Sequence, residues 1–237
     1  MSHIVRSMGI AAAAGYAGLQ LLGRRAGSTA DERSAVLPGD DVVPDPQLVT
    51  NHAITINAPA KDVWPWLTQM GWHLGGYYGP EWVDRLLFPQ NWASLDALDP
   101  DLLRHLEVGD QIPDGEPGTA YYQVHQVRAP HLLVLHSTTH VPPGWAEKYG
   151  ATLNWTWCFS LTGQSAGRCR LHARVRGRMA PWWFAALYSA TIVPSDAIMA
   201  SGMLRGIKRR VESHPRPRVS GRPPLVTQAR RHPAPAL

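Results

Sequence analysis

The sequence contains little of what builds disulfide-rich, metal-binding or nucleotide-binding proteins. It has two cysteines in 237 residues, too few for a disulfide scaffold. It contains neither the Gly-x-Ser-x-Gly motif of serine hydrolases nor a glycine-rich phosphate loop between a strand and a helix. His136 and His140 are four residues apart, but no cysteine or acid accompanies them at metal-ligand spacing. The sequence therefore predicts no metal site, no cofactor and no defined catalytic group.

Acidic residues are absent from the end of the chain, and this absence accounts for the formal net charge of +5. Residues 213–237 contain five arginines, six prolines and no acid, whereas residues 1–212 are close to neutral. A segment of this composition cannot bury enough apolar surface to fold, so we predict that residues 213–237 are disordered. The tail can touch anionic lipid or RNA non-specifically, but no specific nucleic-acid partner is predicted for the folded part.

An uncharged run in residues 1–25 lies between Arg6 and Arg24. Its length is near the short limit for a membrane span, and its alanines and glycines make it only weakly hydrophobic. Three interpretations remain open: a spanning or interfacial membrane anchor, a secretion signal, and a soluble helix that packs on the domain. We expect residues 8–22 to form a helix that projects from the domain and attaches the protein to a membrane, with a cytoplasmic domain. A purely cytoplasmic protein is the alternative.

Residues 26–50 contain the stretch LPGDDVVPDP, whose proline and aspartate content predicts an extended connector. Residues 51–212 then show the periodicity of one folded domain. A strand is predicted at 52–57, short helices after Pro59 and at 81–88, strands around 110–112, 121–127, 132–136, 152–161 and 169–178, and a helical segment from about 180 to 212. Strands and helices in separate blocks predict an α+β fold with an antiparallel sheet closed by a long C-terminal helix.

The two longest strands alternate in polarity, and this alternation predicts the faces of their side chains. Aligning the apolar faces places Cys158 and Cys169 on opposite sides of the sheet. We therefore predict two free thiols, as in a reducing compartment. Arg174 and Arg176 fall on the polar face of the second strand. They are interpreted either as an exposed face or as an anchor for an anionic ligand group at the mouth of a cavity.

The stretch VWPWLTQMGW, residues 63–72, combines three tryptophans with a proline. Val63, Trp66, Leu67 and Met70 form one apolar helical stripe, and Pro65 should bend the helix. A short bent helix with a broad aromatic face suits the wall of a cavity better than a tight core. The alternative is that these tryptophans fill the space and leave no room for a ligand.

Several stretches together resemble one protein family. They are LPGD at 37–40, AITINAP at 53–59, VWPWLTQMGW, GGYY at 75–78, the Gly109-Asp110 turn and MLRGIKRR at 203–210. These resemble the SRPBCC family, the START and birch-pollen-allergen-like superfamily that includes polyketide cyclase/dehydrases and lipid-transfer proteins. The resemblance covers about residues 30–212. It implies the helix-grip fold, a curved antiparallel sheet wrapped around a long C-terminal helix, with an internal apolar cavity.

The resulting prediction is a pocket for a hydrophobic small molecule. Its predicted ligand-binding residues are Trp66, Met70, Tyr77, Tyr78, Trp82, Trp155, Trp157 and Arg174. The leading hypothesis is binding or carriage of a lipid or polyketide-like molecule. The alternatives are a cyclase or dehydratase-type enzyme that uses Glu81, Asp84, a histidine or a tyrosine, and a regulatory partner protein with a filled core.

Overall fold

The computed structural model describes residues 2–164 and 167–213. The predicted tail therefore lies, from residue 214 onward, outside the described residues. The helices are α1 (Ser2–Arg25), α2 (Ala30–Ser34), α3 (Ala60–Thr68), α4 (Glu81–Leu87), α5 (Trp145–Tyr149), α6 (Trp182–Asp196) and α7 (Met199–Ser213), with a 3₁₀ turn at Pro100–Leu102. The strands are β1 (Leu48–Ile56), β2 (Gln111–Pro113), β3 (Tyr121–Arg128), β4 (Leu132–Ser137), β5 (Thr152–Gln164) and β6 (Arg168–Ala180).

The six strands form one curved antiparallel sheet in the order β1-β6-β5-β4-β3-β2. Helix α7 packs on the same face of this sheet as α3 and α6, and buries Leu204, Ile207 and Val211 against it. The predicted α+β helix-grip architecture is therefore confirmed. The hydrophobic core occupies the space between this face and the helices, because every second residue of β5 and β6 points there.

The two cysteines are free and lie on opposite faces of the sheet, as the strand alternation predicts. Cys158 packs with Leu132 and Val134 in a small cluster on one face, whereas Cys169 belongs to the main core on the other. Burial raises the pKa of the Cys158 thiol to about 12 and that of Cys169 to about 11. Both sulfurs are therefore poor nucleophiles at neutral pH.

The predicted C-terminal helical segment consists of two consecutive helices, α6 and α7, which meet at Ala197 and Ile198. Pro194 lies inside α6. A proline has no N–H to donate to the carbonyl four residues earlier, so the carbonyl of Ala190 has no helical partner. The hydroxyl of Tyr16 on α1 donates to this oxygen at 2.8 Å. The hydrogen bond that Pro194 cannot make within α6 is therefore replaced by one that docks α1 on α6.

Residues 26–50 are more ordered than the sequence suggests, and the prediction of a purely extended connector is wrong. They contain α2, whose N-cap Thr29 forms a capping box with Glu32, and the first three residues of β1. Helix α2 and the segment between it and β1 pack on the face of the sheet opposite the main core, where arginines of β6 donate to their carbonyl groups. Residues far apart in sequence make these bonds, so local patterns could not reveal them.

Helix α1 is confirmed as a helix. It is exposed from residue 6 to residue 17, and beyond that Leu19, Leu21 and Leu22 still face solvent. Its C-terminal half packs on α6, where Gln20 donates to the carbonyl of Ser189 at 2.8 Å and Gly23 lies against Val193. The expectation that the whole helix projects from the domain is therefore wrong. Of the helices in the described part of the chain, none is long and apolar enough to cross a membrane. Membrane contact stays a prediction.

Glycines on α7 let the helix approach the loop between α3 and α4. A Cβ atom on Gly206 would lie 1.9 Å from the carbonyl oxygen of Tyr78. We expect Gly206→Ala to lower the free energy of unfolding by about 1–3 kcal/mol, because the loop must move away to make room. Gly9→Ala on α1 is the control: its Cβ would meet nothing within 4 Å, so we expect no loss or a small gain. Urea denaturation of both variants tests this, and equal midpoints would contradict the packing described.

Candidate functional site

A cavity of about 370 Å³ lies between the helix-bearing face of the sheet, the loop between α3 and α4, and helices α6 and α7. It is partly open to solvent. The sheet contributes residues from β1, β3, β5 and β6, and the two C-terminal helices contribute one stripe each. Its lining residues are His52, Trp72, Tyr77, Gly79, Pro80, Val83, Asp84, Phe88, Asn91, Asp114, Tyr122, His140, Trp155, Trp157, Val175, Tyr188, Ile192, Asp196, Met199, Ala200 and Met203.

Aromatic rings make up much of the cavity wall. The ring of Trp157 lies 5.5 Å from that of Tyr122 and stacks nearly parallel to that of Tyr77, with 6.3 Å between the ring centres. Trp155 meets Tyr188 edge to face at 6.0 Å. Such rings offer large flat surfaces at little cost in side-chain entropy. The wall therefore suits a flat or ring-containing apolar molecule.

A hydrogen-bonded pair of ionisable groups, Asp114 and His140, lies in this wall. His140 Nε2 is 2.9 Å from Asp114 Oδ2, and its Nδ1 is 2.7 Å from the hydroxyl of Ser137. Tyr188 donates to the backbone carbonyl of His140 at 2.9 Å. Both ring nitrogens are thus held by partners, which fixes the orientation of the imidazole. This arrangement can hold and move a proton at the cavity surface.

Asp196 is the second acidic feature of the cavity. It ends α6, and no hydrogen bond or ion pair joins its carboxyl group to the part of the chain that the structure describes. Burial raises the pKa of Asp196 from 3.8 to about 7. A carboxyl group in such surroundings exchanges its proton near neutral pH, as a general acid or base requires.

Two further polar side chains of the cavity wall are almost fully buried. His52, 2% exposed, lies beside the carbonyl groups of Leu22 and Gly23 at the end of α1, and burial lowers its pKa to about 4. Its imidazole is therefore neutral at physiological pH. Trp72, 8% exposed, has an indole N–H with no hydrogen-bond partner among the described residues. A buried donor without a partner is costly, so a ligand acceptor at this point would be favourable.

The structure brings together only some of the predicted ligand-binding residues. Tyr77, Trp155 and Trp157 line the cavity. Trp66, Met70 and Tyr78 do not: they are 2%, 0% and 0% exposed and belong to the solid core behind it, where Tyr78 donates to the carbonyl of Trp66. Helix α3 is therefore a packed core element, so its predicted place in the cavity wall is wrong. Trp82 is 58% exposed on the outside of α4.

Arg174 lies on the face of the sheet opposite the cavity, and its predicted position at the cavity mouth is wrong. Its guanidinium is buried and donates to Asp40 at 2.7 Å, to Asn51 at 2.8 Å and to carbonyl groups at the end of α2. The predicted exposed arginine face is also wrong, because the segment after α2 covers it. Arg174 therefore fixes this segment and cannot reach a ligand in the cavity.

Of the other candidate catalytic residues named from the sequence, some line the cavity and some do not. Asp84 lines the cavity, and burial raises its pKa. Glu81 points to solvent and pairs with Arg85. His136 binds Asn154 at 2.8 Å away from the cavity lining, whereas His140 lines it. No group of three potential metal-ligating side chains occurs among residues 2–164 and 167–213.

Sequence reasoning missed most of the polar lining, although one signal was available. Asp196 is the only charged residue between Arg178 and Arg205, and a lone charge in such an apolar stretch suggests a specific role. Tyr188, Ile192 and Asp196 also recur every four residues, which places them on one helix face. Asp114 and Tyr122 offered no such signal, because only the sheet register brings them to the cavity.

Comparison with known proteins gives structural neighbours only. No family model and no curated protein sequence matches the chain. Norcoclaurine synthase from Thalictrum flavum aligns at 16% identity and a TM-score of 0.41, over 70% of this chain and 95% of the enzyme. A Mesorhizobium loti protein aligns at 14% and 0.41, over 70% and 98%. DynU16, a protein in the dynemicin biosynthetic locus, aligns at 14% and 0.38, over 70% of this chain and 47% of its own. At these TM-scores the likeness supports no argument about ligand or activity.

Proposed function

We propose that this protein is a helix-grip protein of the SRPBCC type that binds a hydrophobic small molecule in the cavity described above. The observation on which the proposal depends is the cavity itself. Its volume of about 370 Å³ falls within the range of roughly 300–1,000 Å³ that is usual for small-molecule sites. Its wall is mostly aromatic and aliphatic with a few polar groups, the usual composition of such sites. A partner protein with a filled core would have no such space.

Blocking the cavity from α7 tests this proposal. Ala200 lines the cavity, and Ala200→Phe adds a ring to its wall. We expect the variant to lose at least about tenfold in affinity for a neutral aromatic probe such as naphthylethanol, because the added ring occupies the ligand's volume. Calorimetric titration gives the affinity.

The matched control for this experiment is Ala186→Phe, which adds the same ring at an exposed position of α6. The control should bind the probe as the parent does. Melting temperatures of both variants verify that they are folded. Equal affinity of all three proteins for the probe would place the binding site elsewhere, and no binding by the parent would refute the proposal.

A second candidate function is an enzyme that transfers protons to and from an apolar substrate, as in cyclisation or dehydration. The observation that favours it is the presence of two acid–base groups in one cavity, the Asp114–His140 pair and the carboxyl group of Asp196. Mass spectrometry of ligands released from the parent and from His140→Gln distinguishes the two functions. An enzyme variant blocked in turnover would retain a substrate of different mass from the parent's ligand, whereas a carrier would retain the same molecule.

A further inference from the structure

The cavity wall contains acids and two histidines, His52 and His140, but no lysine or arginine among the described lining residues. Three carboxyl groups line the cavity, those of Asp84, Asp114 and Asp196. Two of these acids already have partners inside the protein. Asp114 binds His140 at 2.9 Å, and Asp84 lies 3.5 Å from the hydroxyl of Ser94. Only Asp196 faces the cavity with no polar partner in the described part of the chain.

The surroundings of Asp196 suit a cation. Tyr188 and Ile192 precede it on the same face of α6, and its charge acts on the nearby hydroxyl of Tyr122. Tyr122, Tyr188 and Trp155 line the same cavity, and the faces of aromatic rings attract ammonium groups. An anionic ligand would meet three acids and, among the described lining residues, no lysine or arginine, so its carboxylate or phosphate would be disfavoured.

A second, independent observation concerns the loop between α3 and α4. Trp72 lines the cavity, and its indole N–H is buried and has no acceptor among the described residues. An unfilled donor of this kind is accommodated by an acceptor on a bound molecule, such as an ether, hydroxyl or carbonyl oxygen. The residues that line the cavity thus include a carboxyl group without a polar partner, buried indole N–H groups on Trp72 and Trp155 without acceptors among the described residues, and several aromatic rings.

We propose that the cavity selects apolar, ring-containing molecules that have a basic nitrogen, and that the Asp196 carboxylate is the counter-charge of the ligand's ammonium group. This inference rests on the proposed function, because it names the chemical class of the ligand for the same cavity. A ligand of this class differs from the fatty acids that a lipid carrier would hold, because it is cationic and not anionic. The contact of an ammonium group with Asp196 offsets the cost of ionising a partly buried carboxyl group that has no partner among the described residues.

Three probes that share a naphthyl group and differ in their polar end test the inference: naphthylethylamine, naphthylethanol and naphthylpropanoic acid. They are titrated calorimetrically at about pH 8, where Asp196 is ionised and the amine is protonated. We expect the amine to bind about tenfold or more tightly than the alcohol, and the acid to bind most weakly. Asp196→Asn should lower the affinity for the amine by about tenfold and leave that for the alcohol nearly unchanged.

Asp101→Asn is the matched control, since it removes the same charge from an exposed position and should leave the amine preference intact. Binding of the alcohol as tightly as the amine would overturn this inference and leave the proposed function standing. An amine preference that survives in Asp196→Asn would overturn the role of Asp196. If none of the three probes binds, the proposed function fails together with the inference.

Discussion

Arg174→Ala is expected to lower the free energy of unfolding by about 3–5 kcal/mol, the largest loss of any substitution considered for this protein. The guanidinium is 3% exposed and pairs with Asp40, which is itself only 14% exposed. Removing it leaves that carboxylate largely buried with the backbone N–H of Leu37 at 2.9 Å and, as its nearest cation, the more distant Arg176 at 3.7 Å. It also leaves the carbonyl groups of Glu32 and Ala35 without these donors, and a buried acceptor without a partner is costly.

Arg178→Ala is the matched control for this prediction. Arg178 lies on the same strand and the same face, but it is exposed and donates to the carbonyl of Asp45 at 2.9 Å. We expect its removal to cost less than about 1 kcal/mol. Arg174→Lys should fall between the two, because an ammonium group keeps the charge but cannot form the planar fork of bonds. Chemical denaturation measures all three, and similar losses for Arg174→Ala and Arg178→Ala would contradict the docking of residues 26–47 on the sheet.

Asp196→Asn is expected to stabilise the ligand-free protein above neutral pH. In the folded protein Asp196 keeps its proton until about pH 7, whereas its ordinary pKa is 3.8. Between these values the unfolded chain binds fewer protons than the folded protein, so the free energy of unfolding falls as pH rises from about 4 to 7. A pKa difference of this size corresponds to about 4 kcal/mol, and contact of the carboxyl group with solvent in the cavity reduces this to about 2–4 kcal/mol.

The measurement is urea denaturation of Asp196→Asn and the parent between about pH 4 and pH 8. Asparagine does not titrate, so the stability difference between variant and parent should grow by about 2–4 kcal/mol over this range. Buried His52 and His172 have lowered pKa values of about 4 and act in the opposite direction on acidification. They are present in both proteins and cancel in the difference. A difference that stays constant with pH would show that Asp196 is already ionised near pH 4 in the folded state.

The strand alternation and helix periodicity of the sequence predicted the sheet, the helices and the faces of Cys158 and Cys169, because these patterns are local consequences of backbone geometry. The same alternation identified a polar face on β6 but could not show what covers it. Arg174 is buried because it binds residues more than 130 positions earlier in the chain. Local sequence patterns contain no information on such a long-range contact.

The position of the cavity was only partly predictable for a similar reason. Tyr77 and Tyr78 are neighbours, and no sequence pattern tells which of the two rings faces a ligand. Tyr78 adopts a left-handed backbone with φ of 59°, and its ring turns into the core. Trp66 and Met70 form the predicted apolar stripe, but that stripe packs against the sheet without leaving a gap. The space lies instead beside α6, whose tyrosine and aspartate sequence reasoning overlooked.

Native mass spectrometry of the protein as purified tests the central claim, that the cavity holds a small molecule, most directly. We expect a complex heavier than the polypeptide by the mass of one apolar organic molecule, and loss of this complex in Ala200→Phe but not in Ala186→Phe. The claim would be contradicted if the protein were detected only at the mass of its polypeptide and also failed to bind any of the three naphthyl probes.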